Sequence, residues 1–105
     1  MLNDIQNQIN ALGPRFALPF EALGAIRDQH GDARMFEHAL AHPAEDETVR
    51  LVALAFADGA LALKLMTDLL HARRSGKTEK VARVRRRLDR VLAAAKARAQ
   101  ATCDA

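Results

Sequence analysis

The chain has 105 residues, half of them apolar, with four Phe, no Trp or Tyr and a formal net charge of +3. That apolar content excludes wholesale disorder, and the length suits a single domain with one modest core. Ala and Leu supply most of the apolar residues and Arg and Lys most of the charge; all four are good helix formers, so an all-α fold is expected.

The opening MLNDIQNQIN has no basic segment and no apolar run, and it does not read as a secretory leader. Leu2, Ile5, Ile9 and Leu12 form one helical stripe, predicting a helix over about 3–12 that Gly13-Pro14 stops. Phe16 to Phe20 reads as an apolar connector, with Pro19 in the first turn of a second helix over about 20–30. Gly31 suits the C-terminal cap of that helix, and Asp32 the N-cap of a third over about 33–41. His42-Pro43 ends it, because the residue before a proline is pushed out of the α region.

A fourth, long helix is expected over about 44–74, with Glu45, Asp46 and Glu47 at the positive end of its dipole and Arg73 and Arg74 at the negative end. Its polar positions, Glu47, Arg50, Asp58, Lys64, Asp68 and His71, fall within about 140°, leaving an apolar arc of about 220°. Such a helix needs covering on several sides. A chain this small has little to spare for that, so a homodimer is predicted, with Leu54, Leu61, Leu65 and Leu69 at the oligomer interface. Gly59 allows another helix to approach closely. Asp58, Lys64 and Asp68 interrupt the most apolar stretch, which excludes a membrane span.

Ser75-Gly76-Lys77 is a turn, and Thr78 the expected N-cap of a last helix over about 78–101. Val81, Val84, Leu88, Val91, Ala95 and Ala99 give it an inward seam close to a heptad pattern. The expected architecture is therefore a single small domain of four to five helices, bundle-like and oligomeric. It is built on the long antiparallel hairpin 44–74 / 78–101.

Charge is distributed very unevenly. Eleven of the sixteen Lys and Arg residues lie between Arg73 and Arg98, opposed there only by Glu79 and Asp89, so this segment carries about +9. Residues 1–72 carry five basic and ten acidic groups. With Val81 at zero, Arg83, Arg86, Arg87 and Arg90 lie between about 140° and 240°, opposite the seam. Arg83 with Arg87 and Arg86 with Arg90 are like-charge i, i+4 pairs, offset in part by Glu79 toward Arg83 and by Asp89 toward Arg85 and Arg86. A self-repelling face of this kind suits an anion. Within the hairpin Asp68 falls near Val84, within reach of Arg83 or Arg87, and Asp58 about a turn from Arg98. These two carboxylates cannot neutralise the four arginines.

Other motifs carry less. Ser75-Gly76-Lys77-Thr78 lacks the upstream glycine and strand of a phosphate-binding loop. His38 and His42 are spaced i, i+4, but Glu37 precedes the first, so the zinc-protease pattern is absent and a surface pair is expected. The single Cys103 excludes an intrachain disulfide and fits a reducing, cytoplasmic setting, although it offers a thiol for linking two subunits. No catalytic residue, metal site or cofactor is expected. The reading is a non-enzymatic module of adaptor, chaperone or regulator type that self-associates or docks an acidic or helical protein partner. The alternative is a sequence-tolerant nucleic-acid-binding protein using the last helix. Against base readout, that helix holds no Asn and its one Gln lies near its end; no aromatic residue interleaves with its arginines for stacking.

Overall fold

The computed structural model describes residues 2–43 and 46–104, and the side chains among them from 4 to 101. These residues form six helices and no strand: α1 (Leu2–Ala11), α2 (Pro14–His30), α3 (Asp32–Ala41), α4 (Glu47–Ala57), α5 (Gly59–Arg74) and α6 (Thr78–Asp104). None is long and apolar enough to cross a membrane.

Gly13-Pro14 stops α1 as expected, but Pro14 also opens α2, where its missing N–H is one of the donors a helix start leaves unused. The expected connector Phe16–Phe20 is thus the start of α2, and Pro19 lies inside the helix. An interior proline forfeits a backbone hydrogen bond and costs about 3 kcal/mol. Phe16, Phe20 and Leu23, all buried on one face, offset it at about 1.5–3 kcal/mol each.

Gly31 both ends α2 and starts α3, at φ +91° and ψ 169°, a region open essentially to glycine alone. Asp32, expected as the N-cap, is instead the first residue of α3, and its carboxylate accepts from Arg27 Nε at 2.7 Å. The Arg27 guanidinium also lies 5.4 Å from the centre of the Phe56 ring, which stacks on Phe20 at 4.6 Å. These contacts tie α2 to α4.

The expected helix 44–74 is two helices. Asp58 leaves the helical region at φ −153° and ψ 89°, and its carboxylate accepts from the Leu61 N–H at 3.1 Å as the N-cap of α5. Gly59 follows, and a Cβ there would lie 2.7 Å from the Ile5 side chain, so its smallness lets α1 pack against α5. The chain turns at this point, and α4 lies alongside α5 instead of extending it.

This break changes where the apolar arc goes. Leu51, Val52, Ala53 and Leu54 are consecutive and fully buried, because α2, α3, α5 and α6 surround α4. Leu54, Leu65 and Leu69 are at most 2% exposed within a single chain. They belong to the core of the single chain, whereas the sequence pattern places them at an oligomer interface. Leu61 is half-buried against the same core. The chain covers most of its own apolar arc, with Leu61, Leu63 and Leu70 left half-buried.

α6 has 27 residues, about 40 Å of helix, and runs along most of the molecule's 45 Å long axis. It packs against α3, α4 and α5. Val84, Leu88 and Ala95 of the expected seam are buried; Val81, Val91 and Ala99 are half-buried. Leu92, outside the expected seam, is fully buried. A helix that touches three neighbours needs a wider apolar stripe than a two-helix seam.

Candidate functional site: the outer face of the last helix

α4 and α6 are held by a reciprocal pair of charge contacts. Glu47 and Arg50 sit one turn apart on α4, and Arg85 and Asp89 one turn apart on α6. Glu47 is 1% exposed, and its two carboxylate oxygens accept from Arg85 Nε at 2.6 Å and from Arg73 Nη2 of α5. Arg50, also buried, places Nε 3.1 Å from Asp89 Oδ1. Its two terminal nitrogens donate to the carbonyls of Leu40, His42 and Pro43 at 3.0–3.3 Å. Those carbonyls lie at and just beyond the C-terminal end of α3, where a cation satisfies groups the helix leaves unpaired.

Burial alone would push the Glu47 carboxyl up. The hydrogen bond from Arg85, its own backbone hydrogen bond and the hydrogen bond and charge of Arg73 outweigh that, and hold it below the ordinary carboxylate range.

These contacts correct several expectations for the charges of α6. Asp89 faces Arg50 across the helix interface, not Arg85 and Arg86 along its own helix. Arg85 is taken by Glu47, a residue whose place in the sequence suggests a helix dipole and a polar face instead. Glu79 forms no ion pair with Arg83 among the described residues. Asp68 lines a groove of about 190 Å³ with Leu65, Lys80, Arg83, Val84 and Arg87, near the residues predicted for it, but closes no ion pair with either arginine. Arg98 lines a groove beside Asp32, Phe36 and Phe56, and Asp58 is the cap of α5.

What remains is the candidate face. Arg83, Arg86, Arg87 and Arg90 are all exposed, and none takes part in an ion pair or side-chain hydrogen bond among the described residues. They follow one side of α6 over about 10 Å of helix rise. Beyond Arg90 the same side continues as Ala93, Ala94, Ala97 and Ala101, all exposed. The fold thus divides the basic residues of this region: Arg73 and Arg85 hold helices together, and four guanidiniums face solvent with all their donors open.

His38 and His42 lie edge to face, ring centres 4.8 Å apart, with His42 Nδ1 3.1 Å from the His38 carbonyl, to which it donates. No group of three or more His, Cys, Asp or Glu able to hold a metal forms among the described residues. Glu45 and the Cys103 side chain lie outside the described part of the structure. Comparison with known protein families, with curated proteins and with solved structures finds no match for this chain.

Proposed function

We propose that this chain is a non-enzymatic, cofactor-free helical binding module of the cytoplasm that docks an acidic or helical protein partner through Arg83, Arg86, Arg87 and Arg90. The observation that carries this reading is the open state of those four side chains beside Arg73 and Arg85, which Glu47 holds, and Asp89, which Arg50 faces. Like charges at i, i+4 cost a few tenths of a kcal/mol per pair, and an acidic surface laid on the face relieves that cost.

A second copy of the chain is a weaker occupant. The exposed acids of residues 1–72 are spread over α1, α2, α3 and the α4–α5 junction, and Arg15, Arg27 and Arg34 interrupt them. Among the described residues no stripe of carboxylates matches the four arginines, and Leu54, Leu65 and Leu69 are buried within the single chain. Self-association through this face would therefore rest on dispersed charge.

The same openness favours duplex nucleic acid as a second reading, since phosphates are the commonest polyanion and need no sequence contacts. The test is Arg86→Glu/Arg90→Glu in the full chain. The double variant keeps its helical circular dichroism and loses binding to an acidic protein ligand such as polyglutamate. Retention of full affinity refutes the docking face. Duplex DNA of unrelated sequence separates the two readings. Tight binding with a log–log salt slope of about 0.9 per phosphate contacted supports nucleic acid. A shallower slope with fixed stoichiometry on the acidic ligand supports the protein partner.

A further inference from the structure

The turn between α5 and α6 opens a cleft of about 370 Å³, lined by Ala72, Arg73, Gly76, Lys77, Thr78, Val81, Ala82 and Arg85. It lies around the edge of α6 from the docking face and shares none of the four arginines. Two of its walls are the guanidiniums that Glu47 holds. Their side chains are 30% and 38% exposed, so each is fixed at its inner edge by a buried carboxylate and open at its outer edge. A guanidinium carries five N–H donors, and Glu47 occupies one of Arg73 and one of Arg85. Two cations against one anion leave the cluster with an excess positive charge, and Lys77 at the rim adds another. Gly76 and Thr78 form the turn side of the cleft, and Ala72, Val81 and Ala82 give it an apolar wall. The volume falls at the low end of the range for small-molecule sites.

We infer that this cleft binds a small organic anion: one phosphate or carboxylate head held by Arg73, Arg85 and Lys77, carrying a compact apolar body that rests on Val81 and Ala82. The anion completes an alternation of charge that Glu47 only half supplies. The guanidiniums are immobilised before the ligand arrives, which lowers the ordering cost of forming bidentate contacts. The apolar walls make a bare ion the poorer ligand, because they stay wet when it binds.

The experiment is a ¹⁵N–¹H NMR titration of the full chain with phenyl phosphate and, in parallel, with inorganic phosphate. Saturable shifts are expected at the amides of Ala72, Gly76, Val81 and Ala82 and at the Nε–H of Arg73 and Arg85. Phenyl phosphate should bind about tenfold more tightly, since its ring removes apolar surface from water. Lys77→Glu should weaken both ligands about tenfold by reversing a charge at the rim. Ala82→Leu should remove the preference for the phenyl group by filling its seat. Both substitutions leave the Glu47 contacts untouched, so the fold persists. Arg86→Glu/Arg90→Glu should leave these shifts unchanged, so the cleft and the docking face succeed or fail separately. Equal affinity for the two phosphates, shifts centred on Arg83, Arg86, Arg87 and Arg90, or indifference to both Lys77→Glu and Ala82→Leu would each overturn the inference.

Discussion

At the scale of single residues, Glu47 is the most consequential side chain. It is a buried carboxylate whose charge is retained because two guanidiniums from two other helices converge on it. Removing one partner of such a cluster leaves the others uncompensated, at roughly 3–5 kcal/mol for full burial. Both arginines are about one-third exposed, so Glu47→Gln is expected to cost about 2 kcal/mol at neutral pH. The sign of the pH dependence follows from the depressed folded-state value. The stabilisation is fully present above the unfolded value near 4.5 and is lost as pH falls through the lower folded value. Urea melts of the two proteins should therefore differ most at neutral pH and converge in acid. A difference that is constant from pH 7 into strong acid would show that the carboxylate charge contributes nothing.

Between residues and the whole molecule lies the break at Asp58-Gly59, which decides how the elements pack. Asp58→Ala removes the cap of α5 and should cost about 1 kcal/mol, read as a lowered melting temperature. Leu65→Asp places a charge in the core and should abolish helicity outright. A variant that stays folded but sediments as a smaller species would restore Leu65 to an interface. The same break marks the boundary of what the sequence makes legible. The helical class, the α1 stop at Gly13-Pro14 and the exposure of the four arginines of α6 are legible in the sequence; the inward seam of α6 is legible in part, since Val84, Leu88 and Ala95 are buried but so is Leu92 outside it. The break in the long helix is not legible, because Asp58 fits the polar arc of a continuous helix as well as it fits a cap. Reading it as continuous sends Glu47 to the far end of the hairpin, away from Arg85. Once the chain folds back at Asp58, Glu47 and Arg50 lie beside Arg85 and Asp89. Their complementary signs at matching spacing are visible in the sequence, but only the register of α4 on α6 gives the match meaning. Pro19 fails for a related reason: its local preference for a helix start is overruled by Phe16, Phe20 and Leu23 seeking one buried face.

For the molecule as a whole, α6 is both the cationic edge and the last wall of the core. Val84, Leu88, Leu92 and Ala95 close surfaces that α3 and α4 leave open. A chain ended after Ser75 should therefore show no cooperative thermal transition, and a sharp calorimetric peak from it would disprove the point. This arrangement also has a history within each synthesis. α3 is complete long before α6 emerges, and at roughly 5–20 residues per second the interval lasts several seconds. Throughout it, the α6-facing sides of α3 and α4 have no native cover. The nascent protein spends that interval with those sides bare, and its arginine-rich segment is the piece that ends the exposure.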